Sequence, residues 1–190
     1  MLLMHDYLFA AMWLGYLAYW WGKSTNVKTT ERSEPSLSRF GRLALMLSAV
    51  ALLSLPTVPL PLLRERFLPP GAGCFWTGAA VTAVGLFFSV WGRRYLGRNW
   101  SQAVTVKKDH ELTTSGPYAL VRHPIYTGLL MAFVGSAIAR GEWRGVLAVG
   151  LIFVALWHKL GLEEKWMRAR FGERYEAYSR RVAALVPYIL

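Results

Sequence analysis

The chain has 190 residues, 54% of them hydrophobic, and a formal net charge of +11. Its apolar and charged residues fall into separate blocks, which excludes an ordinary soluble domain whose polar residues would be spread along every helix. The lone cysteine, Cys74, excludes an internal disulfide framework and any CxxC metal site, and it reads as a small packing residue.

Residues 7–22 form the first apolar run, rich in aromatics (Tyr7, Trp13, Tyr16, Tyr19, Trp20, Trp21) of the kind that sit at headgroup level. Asp6 stands where a cleavable signal would carry a basic residue, so a permanent helix is expected. Residues 43–63 and 71–92 contain no Asp, Glu, Lys or Arg. Each run is long enough to cross a hydrocarbon core of roughly 30 Å at ~1.5 Å per residue. Residues 125–139 and 145–157 are shorter uncharged runs; with residues 7–22 they measure 13 to 16 residues each. The expected fold is an all-α integral membrane helical bundle with about five transmembrane helices and a C-terminal interfacial helix. Residues 1–190 form one membrane domain, with three spans in 1–92 and the polar, chemically rich half in 93–190.

These spans sort the basic residues by side. Lys23 to Arg42, Arg93 to Arg122 and Lys159 to Arg181 supply 18 of the 22 Lys and Arg, leaving Arg64, Arg66, Arg140 and Arg144 opposite. The positive-inside rule then places the long connections and the tail in the cytoplasm and the N-terminus outside. Anionic headgroups account for the basic balance. No nucleic-acid-binding module and no obligate protein partner is evident.

Two polar segments differ from ordinary loops. The first, residues 93–128, carries Arg122-His123-Pro124 directly against the start of the fourth span. Proline is tolerated in the first turn of a helix because its missing N–H would have no partner there. Pro124 is therefore expected to start the span, with His123, Tyr126 and the free N–H groups facing one region suited to an anionic group. The other reading leaves Arg122 and His123 as interfacial residues flanking a membrane helix. The second segment, residues 158–166, extends the fifth span. If the helix continues, Lys159 and Glu163 share a face with Trp166 and Arg170. This is either a functional cluster of boundary charges or an i,i+4 ion pair worth about 0.3–0.5 kcal/mol. Gly172 reads as a helix stop, followed by an amphipathic interfacial helix.

The string HELTTSGPYALVRHPIYTG (110–128), followed by EEKWMRARFGERYEAY (163–178) and VAALVP (182–187), resembles the isoprenylcysteine carboxyl methyltransferase family and its prokaryotic relatives. The resemblance implies S-adenosylmethionine as cofactor. Carried over by position, it implies cofactor contacts at His110, Leu112, Tyr118, His123, Tyr126 and Glu163, with backbone contacts from Glu111, Thr113, Pro124 and Ile125. The family's substrate-contacting arginine aligns with Lys159, which keeps the charge but offers a point rather than a fork to a carboxylate. No metal is implied. The implied reaction is O-methylation of a carboxylate on a lipophilic acceptor that enters from the bilayer. Phospholipid or amine N-methylation, an NADPH-dependent sterol-type reductase and a non-enzymatic membrane protein are the competing readings.

Overall fold

The computed structural model describes residues 2–23, 30–33, 36–97, 105–107 and 112–187. In chain order the elements are α1 (Leu2–Gly22), β1 (Thr30–Ser33), α2 (Ser36–Ser54), α3 (Pro61–Arg64), α4 (Ala72–Leu96), β2 (Thr105–Lys107), a 3-10 turn (Gly116–Ala119), α5 (Pro124–Arg140), α6 (Trp143–Phe171) and α7 (Glu173–Ser179). The fold is an all-α membrane bundle. Three helices, α2, α4 and α6, are long and apolar enough to cross a membrane by length and composition, and α5 is a shorter apolar helix.

Each expected span coincides with a helix, but the second is displaced. Residues 43–63 read as one uncharged run, whereas α2 covers Ser36–Ser54. Pro56, Pro59 and Pro61 lie in the second half of that run, and proline removes a helical N–H and clashes with the preceding turn. The helix instead extends toward the N-terminus through Arg39 and Arg42. The only regular strands among the described residues are β1 and β2, which pair antiparallel (Thr30 opposite Lys107, Ser33 opposite Thr105) and join the connections that follow α1 and α4. At the other end of the bundle, Phe67 N–H donates to Gly141 O at 2.9 Å and Trp143 N–H to Glu65 O at 3.1 Å. The connections thus gather at two ends in the alternation an up-and-down bundle requires.

Helices α4 and α5 pack backbone to backbone. Gly78, Gly85 and Gly92 recur every seven residues on α4, facing Gly135, Gly128 and the Pro124–Ile125 step of α5. A Cβ at Gly78 or Gly85 would overlap the α5 backbone. Small residues at this spacing let membrane helices approach where apolar burial provides no driving force. Helix α1 is fastened to the pair by Tyr16 and Ser89 (2.8 Å) and by Trp13 Nε1–H donating to Ser136 Oγ at 3.2 Å.

Helix α6 has 29 residues, roughly 44 Å at ~1.5 Å per residue, longer than the ~30 Å apolar core of a bilayer. Its second half therefore carries residues 158–171 past the apolar stretch in continuous helix. It stops at Gly172, where φ is +50°, a left-handed value that glycine adopts without a Cβ penalty. Helix α7 then folds back with Tyr175 buried.

Candidate active site at the start of α5

Pro124 begins α5 and His123 is its N-cap, without a side-chain cap bond. The His123 carbonyl receives the N–H groups of Tyr126 and Thr127, each at 3.0 Å. Freed from capping, the imidazole turns toward α6. There its Nδ1 lies 3.6 Å from Glu163 Oε2 and its Nε2 lies 3.3 Å from Glu164 Oε1. Two consecutive carboxylates of one helix thus address the two nitrogens of one ring. Burial alone would push the His123 imidazole down; the hydrogen bonds and charges of Glu163 and Glu164 outweigh it and hold the group above its ordinary value.

Tyr126, three residues on, stacks on this ring, with centroids 5.4 Å apart and planes 5° from parallel. Its hydroxyl donates to Glu163 Oε1 at 2.5 Å. Lys159 Nζ stands 3.9 Å from the same oxygen and 5.2 Å from the centre of the Tyr126 ring. The i,i+4 relation of Lys159 and Glu163 is therefore present, and it does more than join neighbours on one helix, because both residues meet α5. Glu163 keeps 24% of its side-chain surface exposed against 7% for Glu164. Of the two, Glu163 is the more exposed carboxylate.

Tyr118 lies buried in the 3-10 turn, and its carbonyl accepts the Tyr178 hydroxyl at 2.6 Å. Burial first, and then the Glu163 charge, hold the Tyr118 phenol well above its ordinary range, so it remains a neutral donor. Leu112 and Thr113 are half-buried in the segment leading into the turn. Pro124 and Ile125 direct their side chains into the core, where both lie in the space a Cβ at Gly92 would need. His110 and Glu111 lie outside the described residues.

Neither the motif spacing nor the family resemblance singles out Glu164, and residue type alone leaves Arg122 as an interfacial residue beside a membrane helix. Arg122 donates to Glu164 Oε1 from Nε at 2.8 Å and from Nη2 at 2.5 Å. Arg168 holds the other oxygen of Glu164 at 2.9 Å. The available signal was the Glu163-Glu164 pair itself. Neighbouring helical residues lie about 100° apart, so one carboxylate can face a ligand while the next faces the protein.

Residues 74–174 match the family model described as phospholipid methyltransferase. The protein-S-isoprenylcysteine O-methyltransferase of Schizosaccharomyces pombe is 34% identical over 99 residues, covering 49% of this chain and 41% of that protein. The probable protein-S-isoprenylcysteine O-methyltransferase of Oryza sativa subsp. indica is 30% identical over 156 residues, covering 77% of this chain and 80% of that protein. Methanethiol S-methyltransferase 1 of Bradyrhizobium diazoefficiens is 34% identical over 71 residues, covering 37% of this chain and 24% of that protein. The chain thus spans about two fifths of the fission-yeast relative and four fifths of the rice one. Bundle and relatives together define the class, a helical membrane protein of the methyltransferase type. The chain belongs to the isoprenylcysteine carboxyl methyltransferase family.

Proposed function

We propose that the chain is an S-adenosylmethionine-dependent methyltransferase that O-methylates the carboxylate of a lipophilic, isoprenylcysteine-like acceptor. The observation that carries this reading is the convergence of His123, Tyr126 and Lys159 on Glu163, the open carboxylate of the cluster. The residues fit the cofactor's chemistry: a partly exposed carboxylate suits an ammonium group, and the Tyr126 ring beside it offers an aromatic surface to a sulfonium or a purine. His110, Glu111, Leu112, Thr113, Tyr118, Pro124 and Ile125 complete the binding set.

When bound, S-adenosylmethionine supplies an electrophilic methyl group on a sulfonium. The protein's part is to hold the acceptor oxygen in line with that carbon and to keep water away. Lys159, at the edge of the cluster, orients the acceptor carboxylate by its charge. No general base is required, because a carboxylate is already ionised near pH 7. That matches His123, whose two ring nitrogens both face carboxylates, an arrangement that favours the protonated ring over a free base. A second reading, N-methylation of a phospholipid amine, draws on the description of the matching family model. It needs a proton acceptor, and Glu163 is the carboxylate with surface to serve.

The charge asymmetry supports a cytoplasmic site and tail with the N-terminus outside, and an acceptor arriving sideways from the bilayer. Binding of S-adenosylmethionine and of NADPH to detergent-purified protein tests the cofactor. Radiolabelled methyl transfer to a panel of lipophilic carboxylates and amines tests the acceptor. Saturable NADPH binding without methyl-donor binding would sink the reading.

A further inference from the structure

The segment after α7 runs back along the start of α5 and is fastened there by a series of its own carbonyls. The backbone N–H groups of Arg122 and His123 donate to Ala183 O at 2.8 Å and to Ala184 O at 3.0 Å. Thr127 Oγ1 donates to Leu185 O at 2.7 Å, and Ala184 and Leu185 are buried. Arg122 Nη1 donates to Ser179 O at 3.1 Å and to Val182 O. Its Nε and Nη2 are taken by Glu164. One guanidinium therefore joins three pieces of chain: the approach to α5, the polar half of α6 and the C-terminal tail. His123, the next residue, shares Glu164 Oε1 with it at 3.3 Å.

We propose that Arg122 is a positioning residue for the cofactor site, acting through Glu164 and the tail to hold the His123 imidazole against Glu163. The inference rests on the reading that His123 and Glu163 bind the cofactor. The Arg122 donors described here go to Glu164, to Ser179 at the end of α7, to Val182 in the tail and toward the Tyr175 hydroxyl, all of them protein groups. Lysine cannot replace it. An ammonium has a compact set of donors on a flexible stem, whereas the guanidinium fork reaches a carboxylate on one edge and two carbonyls on another. The tail in turn becomes part of the site, because its carbonyls satisfy the N–H of the very residue that presents the imidazole.

The test compares full-length wild type with Arg122→Lys in detergent, reading cofactor affinity, the split between cofactor KM and kcat, and hydrogen exchange at the Arg122 and His123 amides. Tyr178→Phe, which releases α7 from Tyr118 O without leaving a buried charge unpaired, is the milder variant if Arg122→Lys fails to fold. Supporting groups around a site typically cost about tenfold or more in affinity when lost. The expected result for Arg122→Lys is thus a tenfold or larger rise in cofactor KM, kcat at saturation within about threefold, and faster exchange at both amides, with Tyr178→Phe moving the same way less far. A merely structural role would lower kcat through loss of active protein and leave cofactor KM in place. Faster exchange with unchanged cofactor affinity overturns the proposal, and so does unchanged affinity with unchanged exchange. Weakened affinity with both amides still protected also overturns it, since Arg122 would then act on the cofactor directly. Wild-type protein that binds no cofactor would sink the functional reading and this inference together; wild-type binding matched by an equally tight Arg122→Lys variant sinks the inference alone.

Discussion

The Tyr126 hydroxyl donates to Glu163 at 2.5 Å, across 37 residues of sequence. It joins the first turn of α5 to the polar half of α6. The same carboxylate oxygen lies 3.9 Å from Lys159, so the phenol, the ammonium and the carboxylate form one unit across the two helices.

Tyr126→Phe removes the hydroxyl and keeps the ring stack on His123. A hydrogen bond to a charged group contributes about 1.5–3 kcal/mol, so S-adenosylmethionine affinity is expected to fall by about tenfold or more. Titration calorimetry in detergent measures it. An unchanged affinity would remove Tyr126 from the cofactor site.

Lys159→Ala is expected to raise the acceptor KM or lower kcat by about ten- to a hundredfold, as loss of an orienting charge does, while cofactor affinity stays nearly constant. Lys159→Arg should retain turnover. Should Lys159→Ala abolish cofactor binding and spare turnover at saturation, the division of roles between Lys159 and Glu163 is wrong.

His123 makes stability depend on pH in a definite direction. Its folded-state pKa is raised above the ordinary value because two carboxylates outweigh burial. The contribution is fully present below the unfolded value of about 6.5 and is lost as pH rises through the folded value. The thermal midpoint in detergent should fall as pH climbs from about 6.5 through that range, and His123→Gln should flatten the slope. An equally steep slope in the variant would assign the effect elsewhere.

Gly85→Ala forces a Cβ into the carbonyl of Gly128. Overpacking of this kind costs about 1–3 kcal/mol, so the thermal midpoint should drop. Gly150→Ala is the control: it lies in α6 with nothing within 4 Å of the added carbon, and alanine is the better helix former.

Orientation is tested with a Cys74→Ala background. An impermeant thiol reagent applied from outside should label Arg140→Cys and leave Arg174→Cys unlabelled. The reverse pattern overturns the proposed topology.

Much of the fold is legible in the residue string because local physics governs it. Apolar runs demand helices, since a backbone in lipid must satisfy its own polar groups. Pro124 marks the start of α5 and Gly172 the end of α6 for reasons internal to one or two residues. The second span, too, is marked locally, because Pro56, Pro59 and Pro61 interrupt its uncharged run and proline in a helix interior removes an N–H and clashes with the preceding turn.

The site divides differently. The motif residues His123, Tyr126, Lys159 and Glu163 stand out from their types and spacing, and the Lys159–Glu163 contact follows from the helical repeat. What only the tertiary structure decided is which carboxylate faces which partner. Glu163 turns to the open cluster and Glu164 to Arg122 and Arg168, a choice set by the packing of α6 against α5. The role of the tail is of the same kind: its carbonyls meet Arg122, His123 and Thr127 from about 60 residues away. Sequence alone pointed to a membrane bundle and to the polar residues gathered at the start of α5. The three-way junction at Arg122 belongs to the fold, because hydrogen bonds between distant segments depend on positions that no local pattern encodes.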